Sequence, residues 1–100
     1  MNKNLIRQAQ QMQAQLAKAQ EELENATVEG SSGGGVVKVV ASGKQLIQSI
    51  TLDASVVDPN DIDLLEDLVL AAINDALVRS QQVAQERLGA ITGNLKIPGM

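Results

Sequence analysis

The segment ATVEGSSGGGVVKVVASGKQLIQSITLD, residues 26–53, decides the fold, because its apolar side chains follow a period of two. Glycine-containing breaks at 31–35 and 42–44 divide it into short runs rich in valine, isoleucine and threonine. Such runs are typical of β-strands, and glycine-containing breaks between them are typical of hairpin turns. The segment therefore predicts an antiparallel three-stranded meander, with strands at about 26–31, 36–42 and 45–53.

A long helix is predicted before this segment, at residues 2–25, which contain neither glycine nor proline. The spacings between its apolar residues alternate between four and three, which is a heptad seam. The seam consists of Leu5, Ala9, Met12, Leu16, Ala19, Leu23 and Ala26. Because glutamine dominates the rest of the surface, the seam is narrow and predicts packing against one partner helix.

A second helix is predicted at residues 59–88, with Asp58 as its N-cap and Pro59 in its first position. Between residues 62 and 78 this helix is apolar on most of its circumference, which is more than one sheet face can cover. The simplest second surface is the same helix of another copy, related by a two-fold axis. The candidate residues for this dimer interface are Leu65, Val69, Ala72, Ile73, Ala76 and Leu77.

Together these elements predict one α+β domain over residues 1–89, in the order α-β-β-β-α, and a flexible C-terminal tail at 90–100. The 100 residues include no Phe, Trp or Tyr, so the core lacks the largest apolar side chains. A chain this short has a thin stability margin, which also favours a homodimer.

The composition excludes several kinds of chemistry. Without Cys or His there is no thiolate nucleophile, no zinc–sulfur site and no imidazole general base. The glycines at 33–35 lead into a strand rather than a helix, so they indicate a turn and not a phosphate-binding loop. The carboxylates at 61–67 lack the calcium-loop pattern and suit a helix N-terminus. We expect no enzyme, no catalytic residue, no metal, no cofactor and no small-molecule substrate.

Neither a signal-peptide pattern nor an apolar run long enough to span a membrane is present, so the cytoplasm is the expected location. The net charge of −4 argues by itself against nucleic acid, but the charges are segregated. Residues 1–20 carry bases and no acid, whereas residues 53–75 carry carboxylates and no base. Solvated surface side chains would explain the bases equally well, so the pattern alone leaves the ligand open.

Four segments in order carry a resemblance to a known family. They are the glutamine-rich helix from Gln8 to Leu23, the segment Gly33–Val39, the Gly43-Lys44 turn and LLEDLVLAAINDA at residues 64–76. Across nearly its whole length the chain resembles the YbaB/EbfC family of bacterial nucleoid-associated proteins. The resemblance implies a tweezer-like homodimer that binds double-stranded DNA and acts in nucleoid organisation and gene expression.

We therefore expect a homodimer in the nucleoid that binds duplex DNA mainly through the phosphates. Lys and Arg side chains contact phosphates without regard to the base sequence. The candidate DNA-binding residues are Lys3, Arg7, Lys18, Arg79, Arg87 and Lys96. The alternative is a protein-interaction module whose glutamine-rich helical arms hold a partner or client protein. High salt would release a phosphate-binding protein but would leave apolar helix packing in place.

Overall fold

The computed structural model describes residues 2–93, with side chains for residues 2–91, and confirms the predicted order of helix, three antiparallel strands and helix. The elements are α1 (Lys3–Asn25), β1 (Thr27–Ser32), β2 (Val37–Ser42), β3 (Ile47–Leu52) and α2 (Ile62–Gly93). A single 3₁₀ turn, Ala54–Val56, lies between β3 and α2. Most of the predicted tail at 90–100 lies outside the described residues, and its first four residues belong to α2.

The sheet has the order β1-β2-β3, and α2 covers only part of one of its faces. On β2 the side chains of Val37, Val39 and Ala41 are buried, whereas Lys38 between them is exposed on the opposite face. Directly paired residues of an antiparallel sheet share a face. Ile50, which pairs with Val39, therefore lies on the α2 side of the sheet, although every residue of β3 is exposed.

A close backbone approach holds α2 against β1. A Cβ atom on Gly30 would lie 2.7 Å from the carbonyl oxygen of Ala72 and would also collide with the backbone of Ala76. Farther along α2, the Ser80 hydroxyl donates a 2.6 Å hydrogen bond to the carbonyl oxygen of Ser42. Small side chains on α2 thus let the helix lie directly on β1 and β2, where the core forms.

The C-terminal end of α1 is anchored to the turn between β2 and β3. The Gly43 amide donates to the carbonyl oxygens of Leu23 at 2.9 Å and Ala26 at 3.0 Å. The Ala19 and Leu23 side chains are buried, whereas Leu5 near the other end of α1 is 62% exposed. The helix is therefore held at one end and projects from the body at the other.

Both predicted ends of α2 were wrong by about one turn. The helix begins at Ile62, because Asp58 accepts from the Asn60 amide in a separate turn. The Asp61 side chain accepts instead from the Leu64 amide at 3.4 Å, which makes Asp61 the capping residue. At the other end α2 continues through Gly89, since one exposed glycine costs a helix only about 1 kcal/mol.

Candidate functional site

Three of the candidate cations share one face of α1. Helical geometry of 3.6 residues per turn places Lys3, Arg7 and Lys18 within about 60° of arc, roughly opposite the apolar seam. All three side chains are exposed, and residues 2–20 contain no carboxylate. Among the side chains at 2–91, none of the three forms a salt bridge. We call this surface, made of Lys3, Arg7 and Lys18, the basic face.

The two candidate arginines of α2 are already paired with acids. The Arg79 Nε atom lies 3.2 Å from Asp75 Oδ1, and the Arg87 Nη1 atom lies 3.1 Å from Glu22 Oε2. Both pairs are exposed to solvent, so each can open at modest cost. Their positive charge is nevertheless compensated locally, which distinguishes them from the basic face. The remaining candidate, Lys96, lies outside the described residues.

The fold brings Lys18 and Arg87 together but leaves Arg79 apart from them. Lys18, Glu22 and Arg87 line one open groove between α1 and α2, together with Gln15 and Ile91. Because later residues of α2 meet earlier residues of α1, the two helices run antiparallel. Arg79 lies about 12 Å before Arg87 along α2, at 1.5 Å per residue. The basic residues therefore form a ridge along α1 with Arg87 beside it.

The carboxylates gather at the other end of α2. Asp61, Asp63, Glu66 and Asp67 are all exposed near the start of this helix. About 30 Å of helix separates Asp67 from Arg87. The molecule measures 70 × 26 × 16 Å, so its opposite charges are separated along its length. A polyanion would be repelled from the acidic end and attracted towards α1.

An uncovered apolar surface lies beside α2. On β3, Ile47, Ile50 and Leu52 are 39%, 45% and 41% exposed although they lie on the α2 side of the sheet. Asp75 contacts the free edge of β1, so the opposite flank of α2 faces towards β3. That flank carries Leu70, Ile73 and Leu77. We call these six residues the apolar groove.

Two of the six predicted interface residues are not available to a second copy. Ala72 and Ala76 are 0% exposed, because Gly30 lets the helix backbone approach β1 so closely. Leu65, Val69, Ile73 and Leu77 are half-buried and keep some surface. The exposed β3 residues Ile47, Ile50 and Leu52 were not among these candidates, and strict alternation along β3 would have placed Ile47 on the opposite face from Ile50.

A model of the YbaB/EbfC DNA-binding family matches residues 1–95 of this chain. The chain belongs to that family. YbaB/EbfC proteins are a DNA-binding family and not a family of enzymes. The resemblance seen in the sequence is thereby confirmed.

Several relatives of this YbaB/EbfC chain are named nucleoid-associated proteins. One from Desulforamulus reducens is 55% identical over 100 residues, which are 100% of this chain and 94% of the relative. One from Chloroflexus aggregans is 52% identical over 94 residues, which are 94% of each chain. A crystal structure of the uncharacterized protein HP0035 from Helicobacter pylori has a TM-score of 0.73 at 21% identity, covering 96% of this chain and 99% of that one. It shows the same fold.

In this YbaB/EbfC chain, Asp75 ties α2 to the edge of the sheet. Its carboxylate accepts from the Ser31 amide at 3.0 Å and from Arg79. The Ser31 amide, with a smaller contribution from Arg79, lowers the pKa of Asp75 below its usual value. Among residues 2–93 no helix is long and apolar enough to cross a membrane, and no cluster of His, Cys, Asp or Glu is placed to hold a metal.

The lowered pKa of Asp75 predicts a pH-dependent contribution to stability. Because the folded state favours the charged form, the contribution is present above the pKa of the unfolded chain and is lost as pH falls through the folded value. When the pH is lowered from about 7 to about 3, Asp75→Asn should therefore lose less unfolding free energy than the parent protein. The urea concentrations at the unfolding midpoints, measured at both pH values, give the loss for each protein. Equal losses in both proteins would show that Asp75 contributes nothing to the pH dependence of stability.

Proposed function

We propose that a homodimer of this chain binds double-stranded DNA mainly through phosphate contacts from α1, and that it acts in nucleoid organisation and gene regulation. The observation that carries the proposal is the basic face, whose cations are exposed and form no salt bridge among residues 2–91. Membership of a DNA-binding family and the names of the relatives support it. A protein that works on chromosomal DNA acts in the bacterial cytoplasm, at the nucleoid.

The spacing of the basic face suits separate phosphates. Arg7 and Lys18 lie about 16 Å apart along the axis of α1 at 1.5 Å per residue. Two cations this far apart contact different phosphates rather than share one. Such contacts position a protein on duplex DNA without specifying sequence. Because the chain has no aromatic residue, it lacks the stacking surfaces that hold single strands.

The apolar groove supports the homodimer. Exposed contiguous apolar surface on a small protein marks an interaction site, and the residues of the groove come from both β3 and α2. A second copy presenting the same groove around a two-fold axis would bury both surfaces. The dimer doubles the number of cations presented to one duplex. Avidity then raises the affinity of individually weak phosphate contacts.

The proposal is tested by fluorescence anisotropy on a labelled duplex of about 30 base pairs, a size that spans several phosphates of each strand. A duplex of scrambled sequence and the corresponding single strand serve as comparisons. We expect similar affinity for the two duplexes and weaker binding to the single strand. Equal or tighter single-strand binding would contradict the proposal. Absence of DNA binding at low salt would favour the alternative, in which the helical arms hold a protein partner.

Neutralising the basic face should remove most DNA binding. We expect Lys3→Gln/Arg7→Gln/Lys18→Gln to weaken affinity for duplex DNA by about 100-fold or more at low salt, because each lost cation leaves a phosphate contact unmade in both copies. The matched control is Arg79→Gln/Arg87→Gln, which removes cations already paired with Asp75 and Glu22. If the control loses more affinity for duplex DNA than the triple variant does, the DNA-binding surface lies on α2 instead.

A further inference from the structure

Two cations and one carboxylate meet in the groove between α1 and α2. Two adjoining pockets form this groove, and Lys18, Glu22 and Arg87 line both of them. Lys18 and Glu22 are four residues apart on α1 and therefore lie on the same side of that helix, whereas Arg87 comes from α2. We call the surface made of Lys18, Glu22 and Arg87 the charged groove.

The Glu22 carboxylate binds Arg87 in the way that a phosphate oxygen would. Its Oε2 atom accepts a hydrogen bond from Arg87 Nη1 at 3.1 Å. A guanidinium group uses the same donors for carboxylates and for phosphates, so either anion can take this place. Among the side chains at 2–91, Lys18 forms no salt bridge. The charged groove therefore contains the donors of a phosphate site, and Glu22 engages one of them.

Glu22 also lies where the basic face of α1 ends. Helical geometry places it about 40° of arc from Lys18 and about 6 Å farther along the helix axis. Arg87 would add a cation to this end of the basic face if Glu22 did not compensate its charge. Both members of the pair are about half exposed, and such pairs are worth little, so their contact can be exchanged for another anion.

We propose that the charged groove is a phosphate-binding site that Glu22 keeps closed, because its carboxylate holds Arg87 in the place of a phosphate. Removing the charge of Glu22 frees Arg87 to bind a phosphate oxygen beside Lys18. The larger pocket has a volume of about 440 Å³, so the groove has room for a phosphate group of a duplex or of a free phosphate compound. Binding of duplex DNA here rests on the function proposed above, whereas binding of a free phosphate compound does not.

Glu22→Gln tests the proposal with duplex DNA, since it removes the charge and keeps the size of the side chain. We expect fluorescence anisotropy at low salt to show affinity at least about threefold higher than in the parent protein. The slope of log affinity against log salt should become steeper by about 1 for each copy, because one more phosphate is neutralised. The matched control is Glu24→Gln, which removes a carboxylate paired with Lys44 outside both pockets. Equal affinities of the two variants would overturn the proposal for duplex DNA.

A double variant separates the release of Arg87 from a general loss of repulsion. Glu22→Gln/Arg87→Gln removes one negative and one positive charge, so its net charge equals that of the parent protein. We expect its affinity for duplex DNA and its salt slope to return to the values of the parent. If the double variant keeps the gain of Glu22→Gln, then Glu22 acts only by repelling DNA, and the proposal is overturned. Because the pair is exposed, circular dichroism should show parent-like folding of each variant.

Inorganic pyrophosphate tests the site without DNA. The NMR signal of the Arg87 Nε–Hε group is identified by its absence from the spectrum of Arg87→Gln. It should shift at a lower pyrophosphate concentration in Glu22→Gln than in the parent protein and in Glu24→Gln. The same response in all three proteins would overturn the proposal, whether or not the chain binds DNA. The expected response in a protein that does not bind duplex DNA would support the phosphate site and contradict the proposed function.

Discussion

Replacing Gly30 by Ala is expected to destabilise the protein strongly, because the added methyl group has no space. Its carbon would lie 2.7 Å from the carbonyl oxygen of Ala72 and would collide with the backbone of Ala76. These atoms belong to the backbone of α2 and cannot turn aside as a flexible side chain would. Overpacking of this kind costs about 3 kcal/mol, a large part of the ~5–15 kcal/mol that stabilises a typical domain.

Chemical denaturation with circular dichroism as the signal measures this effect. The matched control is Gly89→Ala, where α2 is exposed and where an added Cβ meets no atom of the described residues within 4 Å outside the adjoining helix backbone. Alanine favours helix over glycine by about 1 kcal/mol, so the control should be stabilised. The same substitution is thus expected to act in opposite directions at the two sites. Parent-like stability of Gly30→Ala would contradict the packing of α2 on β1.

Ile50→Asp/Leu52→Asp is expected to convert the proposed dimer into folded monomers. Both side chains lie in the apolar groove, where a second copy would bury them, and a buried unpaired carboxylate is strongly unfavourable. Neither side chain is buried within its own chain, so the monomer should keep its fold. With the dimer lost, the affinity for duplex DNA should fall by about 10-fold or more, because avidity is lost with it.

Sedimentation velocity distinguishes the states, since a dimer has twice the chain mass of 10.6 kDa. The matched control is Ser49→Asp/Thr51→Asp, which adds the same charge to the opposite face of the same strand. That face carries the exposed Lys38 beside Thr51 and remains in solvent in the proposed dimer. Dissociation by the control but not by the groove variant would place the interface on the other face of the sheet.

The helices and strands could be predicted from the sequence because each is indicated by a pattern of residues within its own segment. A period of two with glycine-containing breaks indicates strands wherever it occurs, and the heptad seam of α1 requires no knowledge of its partner. The start of α2 failed because Asp58 and Asp61 are both suitable caps, and the choice depends on how the chain leaves the 3₁₀ turn. Neither propensity nor spacing distinguishes two such candidates.

Details of the site depend on contacts between distant residues. A bulge places Gln48 outside the pairing of β2 with β3, so Ile47 joins Ile50 on the α2 side instead of lying opposite. The pairing of Arg87 with Glu22 joins residues that lie 65 positions apart in the sequence. These contacts arise only once the helices are antiparallel, which no local pattern encodes.

The salt dependence of duplex binding tests the central claim most directly. If α1 neutralises ~4–6 phosphates, the logarithm of affinity should fall against the logarithm of salt concentration with a slope near −4 to −5. Anisotropy titrations from about 50 mM to about 200 mM salt would then show a 10²–10³-fold loss of affinity. The triple variant of the basic face should lose most of this slope. A slope near zero in the parent protein, or an unchanged slope in the variant, would contradict phosphate binding by α1.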